Sequence, residues 1–91
     1  MRIAYKINIQ GRVQGVGFRW FTMQIAQQLS LSGYVMNLRN GDVEVFIQGD
    51  ETIVQEFIDK LRQGPSFSQI TNLTINDAHI DDNFKYFKVK H

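Results

Sequence analysis

The chain contains no cysteine, a single proline and no long apolar run. Without cysteine it can form no disulfide, no thiolate metal site and no cysteine nucleophile, and such a composition suits a reducing compartment. The opening residues, MRIAYKINIQ, alternate in polarity and lack the apolar core of a signal peptide. A stretch of about 18 apolar residues that could span a membrane is also missing. We therefore expect a cytoplasmic protein that does not bind membranes.

An excess of one charge is missing as well, because ten basic and nine acidic side chains leave a net charge of +1. A nearly neutral chain has no overall field to attract nucleic acid, although a local anion site is compatible with it. Hydrophobic residues make up 43% and charged residues 21%, as in ordinary globular proteins, and 91 residues are enough for one core. We expect a single domain over residues 1–91 and, since no extended apolar seam is evident, a monomer.

The first third of the chain predicts a strand followed by a helix. Apolar residues at every second position indicate a half-buried strand from Ile3 to about Val13. From Phe18 the apolar spacing becomes helical, so an amphipathic helix follows, and Gly33 is its predicted C-terminal stop. Residues 34–38 then predict a second strand.

The middle of the chain predicts a hairpin and a second helix. The Asn-Gly pair at 40–41 is the dipeptide most favoured in two-residue type I′ turns, and the alternating residues 43–47 form the returning strand. Asp50 can cap a helix that ends at the Gly-Pro pair at 64–65. Both ends of this helix therefore carry clear signals.

The last third is less regular, with a fourth strand predicted over 71–75, a polar turn over 79–83 and a short fifth strand over 87–89. The order strand, helix, strand, strand, helix, strand predicts an α+β fold of the ferredoxin-like type. In this split βαβ (βαββαβ) sandwich, two helices pack on one face of an antiparallel sheet.

Residues 11–19, GRVQGVGFR, place three glycines and an arginine at the junction between the first strand and the first helix. Glycine lets backbone N–H groups converge on one point, and a helix N-terminus adds unpaired N–H groups and a positive dipole end. Arg19 adds a permanently charged planar group suited to phosphate. The junction is therefore predicted to bind an anion, with a simple tight turn as the more ordinary alternative use of its glycines.

Two blocks of the sequence resemble the acylphosphatase family. The first has the family's form GxVQGVxFR at residues 11–19, and the second is GYVMN at 33–37, followed by VEVFIQG at 43–49. The resemblance implies hydrolysis of the carboxyl–phosphate bond of an acyl phosphate to carboxylate and inorganic phosphate. It implies a small-molecule acyl phosphate as substrate, inorganic phosphate as product or inhibitor, and neither cofactor nor metal.

The resemblance also implies roles for individual residues. Arg19 and Asn37 are the expected catalytic residues, Arg19 holding the phosphate and the Asn37 side-chain amide orienting the attacking water. Asn37 is expected early in the second strand, close to the loop. The loop would bind the phosphate through backbone amides and the arginine side chain, over Gln14, Gly15, Val16, Gly17, Phe18 and Arg19. Because a carboxylate leaves easily, positioning and charge stabilisation can suffice without a metal or a protein nucleophile.

Several other residues have simpler interpretations. The side chain of Gln14 is expected to be solvated, with only its backbone amide in use. Phe18 and Phe21, at helical spacing, are expected in the core, and Trp20 is expected to be partly exposed. Neither histidine, at 79 or 91, has a partner at metal-ligand spacing, and both are predicted to be solvated and without a role.

Three other classes of protein compete with this interpretation. An RNA-binding module has the same βαββαβ order, but its third strand requires basic and aromatic residues where this chain has Asp42 and Glu44. A cluster-carrying ferredoxin-like module would require cysteines. A small-molecule-binding regulatory module without catalysis stays open, because this fold supports many functions.

Overall fold

The computed structural model describes residues 1–91 and contains five strands and two helices. In chain order these are β1 (Arg2–Arg12), α1 (Phe18–Gln28), β2 (Ser32–Asn37), β3 (Val43–Asp50), α2 (Glu51–Gln63), β4 (Gln69–Asp77) and β5 (Phe87–Lys90). Every predicted element is present in the predicted order. Neither helix has the length and apolar character needed to cross a membrane.

The strands form one sheet in the order β4-β1-β3-β2-β5. The pairs β4–β1, β1–β3 and β3–β2 are antiparallel, whereas β2 and β5 are parallel, with Gly33 opposite Phe87. The sheet is therefore antiparallel, as expected, over β4, β1, β3 and β2, and the β2–β5 pair at its edge makes it mixed. After β4 the chain crosses to the opposite edge of the sheet, and β5 then runs in the same direction as β2.

One face of the sheet packs against both helices and forms the main core. Alternate residues of the strands point into this core, as the period of two predicts. It joins β1, β3 and both helices through side chains such as Ile7, Ile9, Val45, Ile47, Ile25, Phe57 and Leu61. The other face carries a smaller cluster of Ala4, Tyr34 and Phe46, against which Phe84 packs.

The β2–β3 hairpin differs from its prediction in turn type. A type I′ turn requires positive φ at both central residues, but only Gly41 has it, at 98°. The N–H of Gly41 donates to the carbonyl oxygen of Leu38 at 3.2 Å, and the N–H of Leu38 donates to that of Asp42 at 2.8 Å. The connection is thus a three-residue loop closed by a left-handed glycine.

The end of α1 also differs from its prediction, which was Gly33. Ser30 instead adopts the left-handed conformation, with φ of 56°, and the N–H groups of residues 30 and 31 donate to carbonyls of the last turn at 3.1 and 2.9 Å. This is the Schellman arrangement, here with serine in place of glycine. Gly33 belongs to β2, where an added Cβ would overlap the carbonyl oxygen of Phe46.

Candidate active site

The candidate site lies where β1 and β2 end. Both strands are antiparallel to β3, so they run in the same direction and finish at the same end of the sheet. The glycine-rich loop follows β1 there, and Asn37 is the last residue of β2. The expectation that Asn37 lies early in its strand is therefore wrong, because parallel strands bring together equivalent ends.

Glycine is required in the loop by backbone conformation. Gly15 and Gly17 have φ of 75° and 80°, in the left-handed region that other residues rarely adopt. A Cβ at either position would meet nothing within 4 Å, so space is not the constraint. Gly11 is different, because it lies at a bulge in β1, where a Cβ would overlap the carbonyl oxygen of Gln69. Two of the three glycines therefore shape the loop, and the first lets β1 and β4 approach.

The two helices begin in different ways. At α2, the side chain of Asp50 accepts a hydrogen bond from the N–H of Thr52 at 3.0 Å, and Glu51 places a carboxylate in the first turn. At α1, Gly17 occupies the capping position with no side chain, and the first turn contains no acidic residue. The amides of residues 18–20 precede the first intrahelical hydrogen bond of α1 and have no capping partner. The positive end of α1 is therefore available to an anion.

A cleft of about 380 Å³ opens at this end of α1. Four of the six predicted phosphate-binding residues and Asn37 line it, whereas Gln14 and Val16 do not. No acidic side chain lines the cleft, so its charge is biased towards anions. Its lining consists of Val13, Gly15, Gly17, Phe18, Arg19, Trp20, Asn37, Val89 and His91.

Arg19 is half-buried and contacts the end of the chain. Its Nη1 atom lies 3.1 Å from Nδ1 of His91. A guanidinium can only donate, so in this hydrogen bond Nδ1 of His91 is the acceptor. His91 is exposed, as expected, but it also lines the cleft and contacts Arg19, which the sequence interpretation did not foresee. No sequence signal indicates this contact. It arises because β5 pairs in parallel with β2, so residue 91 lies at the end of the sheet where β2 finishes.

Asn37 presents an unsatisfied acceptor. Its Oδ1 atom is buried and accepts no hydrogen bond from the protein. Leaving such a group unpaired costs about 1–3 kcal/mol, so a donor from a ligand or a water is expected there. Asn37 and Arg19 line the same cleft, as the sequence predicted.

Gln14 has a structural contact that the sequence interpretation missed. Its Nε2 atom donates to the carbonyl oxygens of Leu38 and Asp42, at 2.8 and 2.9 Å. The expectation of a solvated side chain is therefore wrong. Because Leu38 follows Asn37 directly, this amide joins the glycine-rich loop to the strand end that carries Asn37.

The hydrophobic residues of the region lie as expected. Phe18 is 2% exposed and Phe21 is half-buried, with their ring centroids 5.9 Å apart, so both belong to the core. Trp20 is 60% exposed. Val16 is half-buried against the core.

His79 is exposed and lines a separate cleft with Tyr34, Phe84 and other residues.

Comparison with known proteins tests the family resemblance. A sequence model described as Acylphosphatase matches residues 5–89. The chain belongs to the acylphosphatase family. An acylphosphatase from Clostridium beijerinckii is 40% identical over 89 residues, which cover 98% of this chain and 99% of that protein. Members of the acylphosphatase family are hydrolases, and this chain is accordingly an enzyme of that family.

Solved acylphosphatase structures share the fold. The crystal structure of the enzyme from Bacillus subtilis has a TM-score of 0.93 and 33% identity, covering the whole of both chains. The structure from Coxiella burnetii has a TM-score of 0.91 and 29% identity, covering 98% of this chain and 93% of that one. The predicted ferredoxin-like α+β fold is thereby confirmed.

Proposed function

We propose that this chain hydrolyses the carboxyl–phosphate bond of acyl phosphates, with the loop and Arg19 holding the phosphoryl group and Asn37 orienting the water. The observation that carries the proposal is the buried, unpartnered Oδ1 of Asn37 in the cleft that Arg19 also lines. An acceptor held next to an anion site can fix a water molecule beside the phosphorus atom. The family supplies the substrate class, and the geometry supports the division of roles.

The phosphoryl group is bound first by charge and dipoles. Gly15 and Gly17 are left-handed, a conformation that lets the backbone amides of residues 14–19 converge on one anion, and α1 adds its positive end. Arg19 has five N–H donors, one of which faces His91, so several stay available to phosphate oxygens. Preorganised donors of this kind stabilise the charge that develops on the phosphoryl oxygens in the transition state.

The water then attacks phosphorus. The Oδ1 atom of Asn37 accepts one O–H of the water, which directs a lone pair of its oxygen towards the phosphorus atom. The new bond joins the water oxygen to phosphorus, and the bond between phosphorus and the carboxyl oxygen breaks. The carboxylate leaves with the electron pair, and a phosphate oxygen takes the proton of the water. Since a carboxylate is a good leaving group, this sequence requires no metal and no strong protein base.

Steady-state hydrolysis of acetyl phosphate in the presence of a chelator tests the proposal. The native chain is expected to turn over, and Arg19→Ala is expected to lose ~10²–10³ in kcat/KM or more, because a principal donor is removed. Arg62→Ala, which removes an arginine from the last turn of α2, is the matched control and should keep native rates. No turnover by the native chain, or an unaffected Arg19→Ala, would contradict the proposal.

No observation favours the RNA-binding alternative. A stacking platform needs aromatic ring faces that bases can reach. Tyr34 and Phe46, on the sheet face away from the helices, are only 8% and 5% exposed and pack against Phe84. This face is therefore already covered by the chain itself.

We further propose that the enzyme acts as a monomer in the cytoplasm. Arg19, Asn37 and the loop glycines Gly15 and Gly17 all line one cleft, so the proposed mechanism uses groups within a single chain. The lack of cysteine suits a reducing compartment. Analytical ultracentrifugation should give a mass near 10.6 kDa across the concentrations used for kinetics. A dimer at those concentrations would contradict the monomer.

A further inference from the structure

Trp20 is the large apolar side chain that the cleft leaves open to solvent. It follows Arg19 directly in the first turn of α1 and is 60% exposed. Of the other apolar lining residues, Val13 and Phe18 are 1% and 2% exposed, and Val89 is half-buried. The apolar surface that a ligand in this cleft can cover therefore belongs mainly to Trp20, with a smaller part from Val89.

Trp20 lies beside Arg19 in the cleft, and an acyl phosphate has two halves, a phosphoryl group and an acyl group. With the charged phosphoryl half at Arg19 and the loop amides, as proposed above, the acyl half would extend into the remainder of the same cleft. Trp20 contributes nothing to the core, so its ring is not required there for folding. Covering an exposed indole with another apolar group is favourable, because apolar surface is removed from water. A flat ring stacked on it gains further from aromatic contact.

We propose that Trp20 binds the acyl group, and that the enzyme therefore favours acyl phosphates with flat aromatic acyl groups over those with small ones. This inference rests on the proposed function, because it concerns the second half of the same substrate. The indole acts through contact with the acyl group and takes no part in the bond changes. Its contribution is therefore expected in the preference between substrates.

Kinetics with two substrates test the preference. The ratio of kcat/KM for benzoyl phosphate to that for acetyl phosphate is measured for the native chain, Trp20→Ala and Trp20→Phe. Taking this ratio within each variant cancels effects on phosphate binding. We expect Trp20→Ala to lower it about fivefold to tenfold and Trp20→Phe to restore most of it, as stacking and buried area predict.

A matched control separates this role from general aromatic exposure. Phe67 is 81% exposed and does not line the cleft, so Phe67→Ala should leave the ratio at its native value. An unchanged ratio in Trp20→Ala would overturn the inference, as would an equal fall in Phe67→Ala.

Fluorescence gives a readout that does not depend on turnover. Trp20 is the only tryptophan, so all indole emission comes from this position. Benzoylphosphonate, which cannot be hydrolysed at its P–C bond under assay conditions, should change this emission saturably and more strongly than inorganic phosphate does. If the native chain hydrolyses neither substrate, the proposed function fails, and the titration decides the inference alone. A saturable change larger than that caused by inorganic phosphate then supports it, and a change no larger than that overturns it.

Discussion

At the scale of single residues, the site depends on side chains that the sequence places far apart. Arg19 was predictable, because it completes a recognisable loop, and Asn37 was predictable from the second block. The contact between Arg19 and His91 was not, since it joins residues 72 positions apart through the parallel edge of the sheet. A pattern of spacing along the chain carries no information about such a pair.

His91 is predicted to hold Arg19 in the orientation that binds phosphate. Removal of its acceptor in His91→Ala should raise KM for acetyl phosphate about threefold to tenfold, in line with the net worth of one hydrogen bond, while kcat changes less. His91→Asn should restore the native KM, because the asparagine oxygen can lie close to the position of Nδ1. Steady-state kinetics of both variants check this, and an equal effect of the two substitutions would contradict it.

At the scale of elements, the strand-to-helix junction is the part that the proposed function uses most directly. Its glycines were predicted, but their different tasks were not: Gly15 and Gly17 set backbone direction, whereas Gly11 permits close approach of β4. The strands and helices themselves follow from apolar periodicity. Turn types and helix ends were harder to predict. Ser30 can replace glycine as a cap, and the same Asn-Gly pair can lie in a two-residue or a three-residue loop.

Two glycines allow loop conformation to be tested separately from stability. Gly15 and Gly41 both have positive φ, and a Cβ would meet nothing within 4 Å at either. Alanine at each should therefore cost a similar ~1–2 kcal/mol in the free energy of unfolding from backbone strain. Only Gly15→Ala should also weaken the binding of inorganic phosphate. Denaturant unfolding and calorimetric titration check the two effects, and equal loss of phosphate binding in Gly41→Ala would count against the loop as the anion site.

At the scale of the whole molecule, the two faces of the sheet have different tasks. One face carries the helices and the main core, and the cleft lies at the end of the sheet where β1 and β2 finish. The other face holds the aromatic cluster around Tyr34, whose hydroxyl donates to Glu44 at 2.7 Å. Burial, followed by the hydrogen bond to Glu44 and the charge of that carboxylate, raises the pKa of Tyr34. This face therefore contributes stability that is lost at alkaline pH.

The sign of that dependence follows from proton binding. Above the ordinary tyrosine pKa of about 10, the unfolded chain loses the proton of Tyr34 while the native state retains it. The free energy of unfolding should consequently be unaffected by this group below about pH 10 and should fall as pH rises above it. Tyr34→Phe should show a shallower fall than the native chain in denaturant unfolding at alkaline pH. Tyr86, which is 70% exposed, provides the control, and a Tyr86→Phe variant that matched Tyr34→Phe would contradict this assignment.

The central claim is that the loop and Arg19 hold the phosphoryl group while Asn37 holds the water. The most direct test is steady-state hydrolysis of acetyl phosphate by Asn37→Ala, with Asn76→Ala, an exposed asparagine on β4, as the control. We predict that Asn37→Ala lowers kcat by ~10²–10³ with KM nearly unchanged, because the phosphate grip is intact and the water is not positioned. A rise in KM at native kcat, or full activity, would contradict the claim.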